Sequence, residues 1–280
     1  MARREDDTWC RNLAGKKVGE YTLLEFVGAG RIGYVYKAQH EGFSESPRAV
    51  KLVFDELKPG WDVELKKVMR LELIEGVAHF HQTGAATVSH EGAFKLCQYT
   101  VWDYIAPGEN LRQYLKRVDK IDTGFLLAAV ERILHVLHAC EARGVARHGD
   151  LHSGNILIGD ETIARLDDSL QPRAPIYVSD FGYGTTGAAT TPKDDYKGLS
   201  RIINEMISHI DYTTATATHR QILLGMQRDL GKLLHELAGA ERRPPLELLK
   251  VLGEIRRSVQ AGDRRASGTT TTGSGLAIGL

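Results

Sequence analysis

Residues 148–157 read HGDLHSGNIL, with an aspartate, Asp150, and an asparagine, Asn155, set between a long apolar segment and a short one. Further along, Asp180 ends another apolar run in VSDFG. Mg²⁺ prefers hard oxygen ligands and keeps much of its coordination sphere for water and phosphate. Asn155 and Asp180 are therefore what a magnesium-bound triphosphate needs from protein. Asp150 is then free to orient an acceptor hydroxyl and take its proton. Taken singly, each aspartate fits a turn or helix cap better; the ordered set is what points to chemistry.

Upstream, Gly28, Gly30 and Gly33 in GAGRIGYV make G-x-G-x-x-G, followed by Val35. Glycines at this spacing let backbone N–H groups approach phosphate oxygens without a Cβ in the way, although a tight turn explains them equally well. A dinucleotide-binding version should open a helix and carry an acidic ribose ligand about twenty residues later. Here the glycines run into β-rich YVYKA, and the residue that follows at that range is Lys51, in AVKLV. A lysine in an apolar strand either snorkels to water from an edge or meets something negative. The glycine loop one strand earlier favours a phosphate.

The elements that must position these groups fall into two textures. EYTLLEFVGAG, YVYKAQH and RAVKLVF read as strands, the last two separated by a polar loop, EGFSES. WDVELKKVMRLELIEGVAHF carries Val63, Val68, Leu71 and Ile74 at helical spacing. GAATVSHEGAFKLCQYTVWDY reads as a hairpin turning at His90, Glu91 and Gly92. Beyond APGEN the pattern becomes helical, above all in GFLLAAVERILHVLHACEARG, with a brief β interlude at NILIGD and PIYVSDFG. Residues 1–18 read as a tail or lead-in, 19–103 as one lobe, 104–261 as a second, and 262–280, with GTTTTGSG, as a flexible tail.

Bulk properties exclude little. The 280 residues are 42% hydrophobic and 26% charged, and 36 basic residues balance 36 acidic ones. That balance gives no sign of a nucleic-acid partner. Cys10, Cys97 and Cys140 are too scattered for a disulfide framework, and the histidines lack zinc-ligand spacing. No apolar run approaches the ~18–20 residues of a membrane span, and no secretory signal opens the chain. The expectation is a cytoplasmic protein.

The ordered set of glycine loop, AVK, HGDLHSGN and DFG resembles the protein-kinase fold. The fold class expected is α+β and bilobal. A small lobe of antiparallel sheet with one helix would precede a larger, mainly helical lobe. The resemblance implies that Gly28, Gly30, Gly33 and Val35 cover ATP, that Lys51 holds its α/β-phosphates, and that Asp150 is the catalytic aspartate. It makes Asn155 and Asp180 the Mg²⁺ ligands. VWDYIAPGENL resembles the connector between lobes, where adenine meets backbone groups near Asp103 and Ile105 and Trp102 lines the back of the pocket. DDYKGLSRIINEM resembles the central helix whose aspartate, here Asp195, ties down the catalytic loop, and His148 braces that loop. The helical ion-pair partner of Lys51 stays open between Glu72 and Glu64.

Departures from the family matter as much. Gly149 stands where many kinases carry an arginine that reads a phosphorylated activation loop, and GYGTTGAATTPK is too short for a full activation segment. No A-P-E follows, so the platform for a peptide is missing. His152 replaces the lysine common in serine/threonine kinases, and HGDLH is similar to the loop of aminoglycoside and choline-type phosphotransferases. An insertion, GDETIARLDDSLQPRAP, precedes Asp180 and has no assigned role. The function expected is ATP-dependent phosphoryl transfer to a hydroxyl on a protein serine or threonine, without activation-loop control. The alternatives are transfer to a small-molecule hydroxyl and a non-catalytic pseudokinase module.

Overall fold

The computed structural model describes residues 8–29, 33–54, 65, 68–72, 74–145, 147–160, 175–181, 192–210, 212, 217–238 and 243–266. The chain is α+β, an antiparallel sheet followed by a helical part, consistent with a bilobal kinase-like fold.

Alternating burial builds the first lobe. Strands β1 (Lys17–Val18), β2 (Tyr21–Ala29), β3 (Tyr34–His40), β4 (Phe43–Val53), β5 (Phe80–His90) and β6 (Ala93–Asp103) pair antiparallel in the order β1-β2-β3-β4-β6-β5. Leu23, Tyr36, Val50, Leu52, Cys97, Tyr99 and Val101 turn to one side and bury together. The opposite parity of β3 and β4 carries Val35 and Lys51, which are register partners. The sheet curls until β1 touches β5.

Residues 8–18, expected as a tail or lead-in, are part of this core. Cys10, Leu13 and Val18 are buried. The Tyr36 hydroxyl donates to the Cys10 carbonyl (2.6 Å) and accepts from the Leu13 N–H (3.1 Å). EGFSES is not a loop either: His40 pairs with Phe43 across a tight turn, so β4 already runs through it. The hairpin expected at His90–Gly92 is present as β5–β6, closing on His90 and Ala93.

Of the helix expected over 61–80, residues 61–64, 66, 67 and 73 lie outside the described residues; residues 65 and 68–70 are helical and the chain then leaves the helix. Leu71, Ile74 and Val77 keep a helix-like spacing, yet they belong to a linker pressed onto the second lobe's core. Periodic burial came from that docking. The linker is pinned by Arg132–Glu75 (2.7 Å), by Arg143 donating to the Glu72 carbonyl, and by the Val178 N–H donating to the Gly76 carbonyl (2.7 Å).

The second lobe starts with β7 (Glu109–Asn110) and α1 (Leu111–Val118), whose N-terminus carries a reciprocal cap between Asn110 and Gln113. Helix α2 (Thr123–Ala142), capped by Asp122, is long and apolar enough by length and composition to cross a membrane. Its Leu126, Val130, Ile133, Leu134 and Leu137 are instead buried in the lobe's core. A 3₁₀ turn (Ser153–Asn155) leads into β8 (Ile156–Ile158) and β9 (Ile176–Val178), which with β7 form a small sheet. Helices α3 (Pro192–Ser208), α4 (Ala217–Ala238) and α5 (Pro245–Ala266) complete the lobe. Helix α5 therefore runs into the segment expected to begin the flexible tail. Most of the insertion before Asp180 and the threonine-rich segment after it lie outside the described residues.

Candidate active site

The tips of β8 and β9 and the loop before the 3₁₀ turn bring four sequence candidates into one connected network. Lys51, from β4, reaches across the cleft to Asp180, with Nζ 2.5 Å from Oδ1. Asp180 follows Ser179, whose N–H donates to the Asn155 carbonyl at 2.9 Å. The Asn155 Nδ2 donates to the Asp150 carbonyl at 2.9 Å. That bond fixes the Asn155 amide against the loop backbone.

The loop's rigidity comes from beneath. Asp195, on α3 and buried, accepts from the N–H groups of His148 (2.7 Å) and Gly149 (2.8 Å), one on each carboxylate oxygen. Gly149 has φ of 93°, a left-handed conformation that a side chain disfavours. His148 Nδ1 accepts from the Asp150 N–H (3.2 Å), so Nε2 holds the proton and donates to the Ser179 carbonyl (2.9 Å). His148 thereby ties the Asp150 loop to the Asp180 strand, and its ring packs on Phe181 with centroids 4.6 Å apart.

Electrostatics follow the geometry. Burial pushes the Asp180 carboxyl up, but the Lys51 ammonium and its hydrogen bond hold it below the ordinary carboxylate value. Burial pushes His148 below its ordinary value against the pull of Asp195 and the Ser179 carbonyl. The imidazole is a neutral brace. Asp150, by contrast, keeps its side chain 51% exposed. His152 Nε2 stands 3.9 Å from Asp150 Oδ2, while its Nδ1 accepts from the Gly154 N–H.

On the roof of the cleft, Gly28 pairs with Val35 and Val35 with Lys51, so glycine strand and lysine share one register. A Cβ on Gly28 would meet open space, whereas one on Gly33 would lie 2.4 Å from the Leu52 carbonyl oxygen. Gly33 is thus explained by close packing on β4. Gly30 and Glu64 lie outside the described residues. Glu72 is exposed in the turn after the helix, and Lys51 pairs with Asp180.

At the connector, the Asp103 N–H donates to the His79 carbonyl (2.9 Å) and the Ile105 carbonyl accepts from the Gly108 N–H (2.7 Å). Both groups fix the backbone of the connector itself. The Ile105 N–H has no partner among the described residues. Trp102 donates from Nε1 to Thr100 Oγ1 (3.0 Å) and meets Phe80 edge-on, at the base of this wall.

Sequence reasoning missed Gly198. A Cβ there would lie 2.2 Å from the Leu151 carbonyl oxygen, so a bare backbone is what lets α3 touch the Asp150 loop. A glycine inside a helical pattern was the available signal. Ser179 was also missed, and nothing in its type announces a carbonyl that receives His148.

Two oxygen donors, Asn155 and Asp180, with a lysine and an exposed carboxylate nearby, fit a cation held chiefly by phosphates. Among the described residues no three His, Cys, Asp or Glu side chains cluster into a metal cage of their own. No family model matches the chain. Over 173 residues, 60% of this chain, it is 25% identical to a protein named as a probable cyclin-dependent serine/threonine-protein kinase of Dictyostelium discoideum, covering 10% of that protein. Over 157 residues, 56% of this chain, it is 25% identical to one named as a probable serine/threonine-protein kinase of Clostridium perfringens, covering 22% of it. The matches thus span under a quarter of these relatives' lengths. Geometry and similarity together support a kinase-like relationship for this chain.

Proposed function

We propose that the chain transfers the terminal phosphoryl group of Mg-ATP to a hydroxyl, with a protein serine or threonine as the favoured acceptor. The observation that carries this is the single network joining Lys51, Asp180, Asn155 and Asp150. Mg-ATP would supply the electrophilic phosphorus and a cation that neutralises the phosphates. Lys51 would hold phosphate oxygens, and Asp180 with Asn155 would hold the cation. Asp150 orients the acceptor hydroxyl and receives its proton. The neutral His148 keeps the Asp150 and Asp180 backbones at fixed separation without adding charge.

The relatives' names support the serine/threonine reading. The nearness of His152 to Asp150, where a lysine would otherwise offer a fixed charge, favours a second one: transfer to a small-molecule hydroxyl. Incubation with labelled ATP and Mg²⁺ separates them. Label on the protein itself or on generic protein acceptors supports the first; label only on aminoglycosides, sugars or other small alcohols supports the second. Asp150→Asn should lower kcat by roughly 10²–10⁴-fold, the range for a lost general base, while nucleotide binding persists. Unchanged turnover would remove the mechanism common to both.

A further inference from the structure

We infer that Tyr104 and Lys37 form a clamp between connector and roof that closes the adenine end of the cleft, making both positioning residues for the nucleotide. Lys37 lies two residues beyond Val35 on β3, opposite Ala49, so it shares the cleft-facing parity of Val35 and Lys51. Its Nζ stands over the Tyr104 ring, 5.1 Å from the centroid. Glu25 of β2 is the register partner of Lys37, and its charge reaches Tyr104. Burial first, and Glu25 second, push the Tyr104 phenol above its ordinary value. The half-buried ring thus lies beside Lys37 of β3 and within reach of Glu25 of β2.

The other end of Tyr104 is fixed as firmly. Its hydroxyl donates to the Pro107 carbonyl at 3.1 Å. Gly108 has φ of 83°, and a Cβ there would lie 2.4 Å from the Tyr104 hydroxyl oxygen. The connector's turn is therefore shaped around this phenol. A cation–π contact of this kind is weak when exposed; here it is the described side-chain bridge between connector and β3 at the cleft's outer end.

The proposal rests on the nucleotide-binding reading above, and its test separates the two. A fluorescent ADP analogue with Mg²⁺ is titrated into the full chain, with thermal midpoints measured in parallel. Lys37→Met and Tyr104→Leu should each weaken binding roughly three- to fivefold at near-unchanged midpoint. The double variant should be no weaker than either single one, and Lys37→Arg should restore affinity. Any phosphoryl transfer should show the change in KM for ATP and little in kcat. Binding by the wild type with no change in Lys37→Met, or additive losses in the double variant, overturns the clamp alone. No binding by the wild type overturns the nucleotide reading and the clamp with it.

Discussion

At the scale of single residues, His148 is the most constrained group in the site. Both ring nitrogens are committed, one accepting from the Asp150 N–H and one donating to the Ser179 carbonyl, and the ring is fully buried. Protonation would turn the acceptor nitrogen into a donor facing another donor. The folded-state pKa is lowered from 6.5, so the unfolded chain binds a proton that the folded one refuses. The stabilisation is full above about pH 6.5 and is lost as pH falls below it toward the folded value. Urea midpoints of wild type and His148→Asn, compared at about pH 7.5 and about pH 5.5, check this. The wild type should lose more on acidification. Parallel losses in both proteins would refute the assignment. The residue types at 148, 150, 155 and 180 were legible because their order in the chain is itself chemical information. The tautomer of His148 was not, since it depends on a carbonyl contributed by residue 179.

At the scale of elements, two helical glycines make opposite predictions. Gly198 of α3 brings its backbone against Leu151 next to Asp150, with no room for a methyl group. Gly198→Ala should cost about 1–3 kcal/mol as an overpacked contact, and should depress phosphoryl transfer beyond what the stability loss accounts for. Gly225 of α4 faces open space. Gly225→Ala should therefore stabilise by about 0.5–1 kcal/mol, the ordinary cost of glycine in a helix. Thermal unfolding and transfer assays on both variants test the pair; equal effects would refute the close approach of α3 to the loop. The strands carrying Gly28, Val35 and Lys51 were readable from alternation. The linker at 71–72 and 74–79 was misread as helix because Leu71, Ile74 and Val77 bury against another lobe, and burial at that spacing has no unique local cause.

At the scale of the molecule, Lys51 is where the two parts of the chain meet chemically. It comes from the sheet and pairs with a carboxylate from the helical part. Lys51→Met leaves the half-buried Asp180 without that countercharge and, on the proposed function, removes an electrostatic partner of the transferring phosphate. Loss of one such group should lower kcat/KM by roughly 10²–10³-fold, with the larger part in kcat; equal kcat/KM would refute the role. The linker contacts Arg132–Glu75 and Val178–Gly76 hold the sheet's entry to the second lobe close to the strand that presents Asp180.

By itself the sequence determined the order of the chemical groups, the change from β to helical texture, and the strands that carry the glycines and Lys51. These are local properties, set by alternation, turn residues and the spacing of polar atoms along the chain. Only the tertiary structure decided that residues 8–18 complete a core, that Gly198 is a contact surface, that Lys51 meets Asp180, and that Tyr104 bridges to Lys37. Each of those depends on which backbone lies a few ångströms away from another. Chain connectivity does not encode that neighbour; the packing of two lobes selects it.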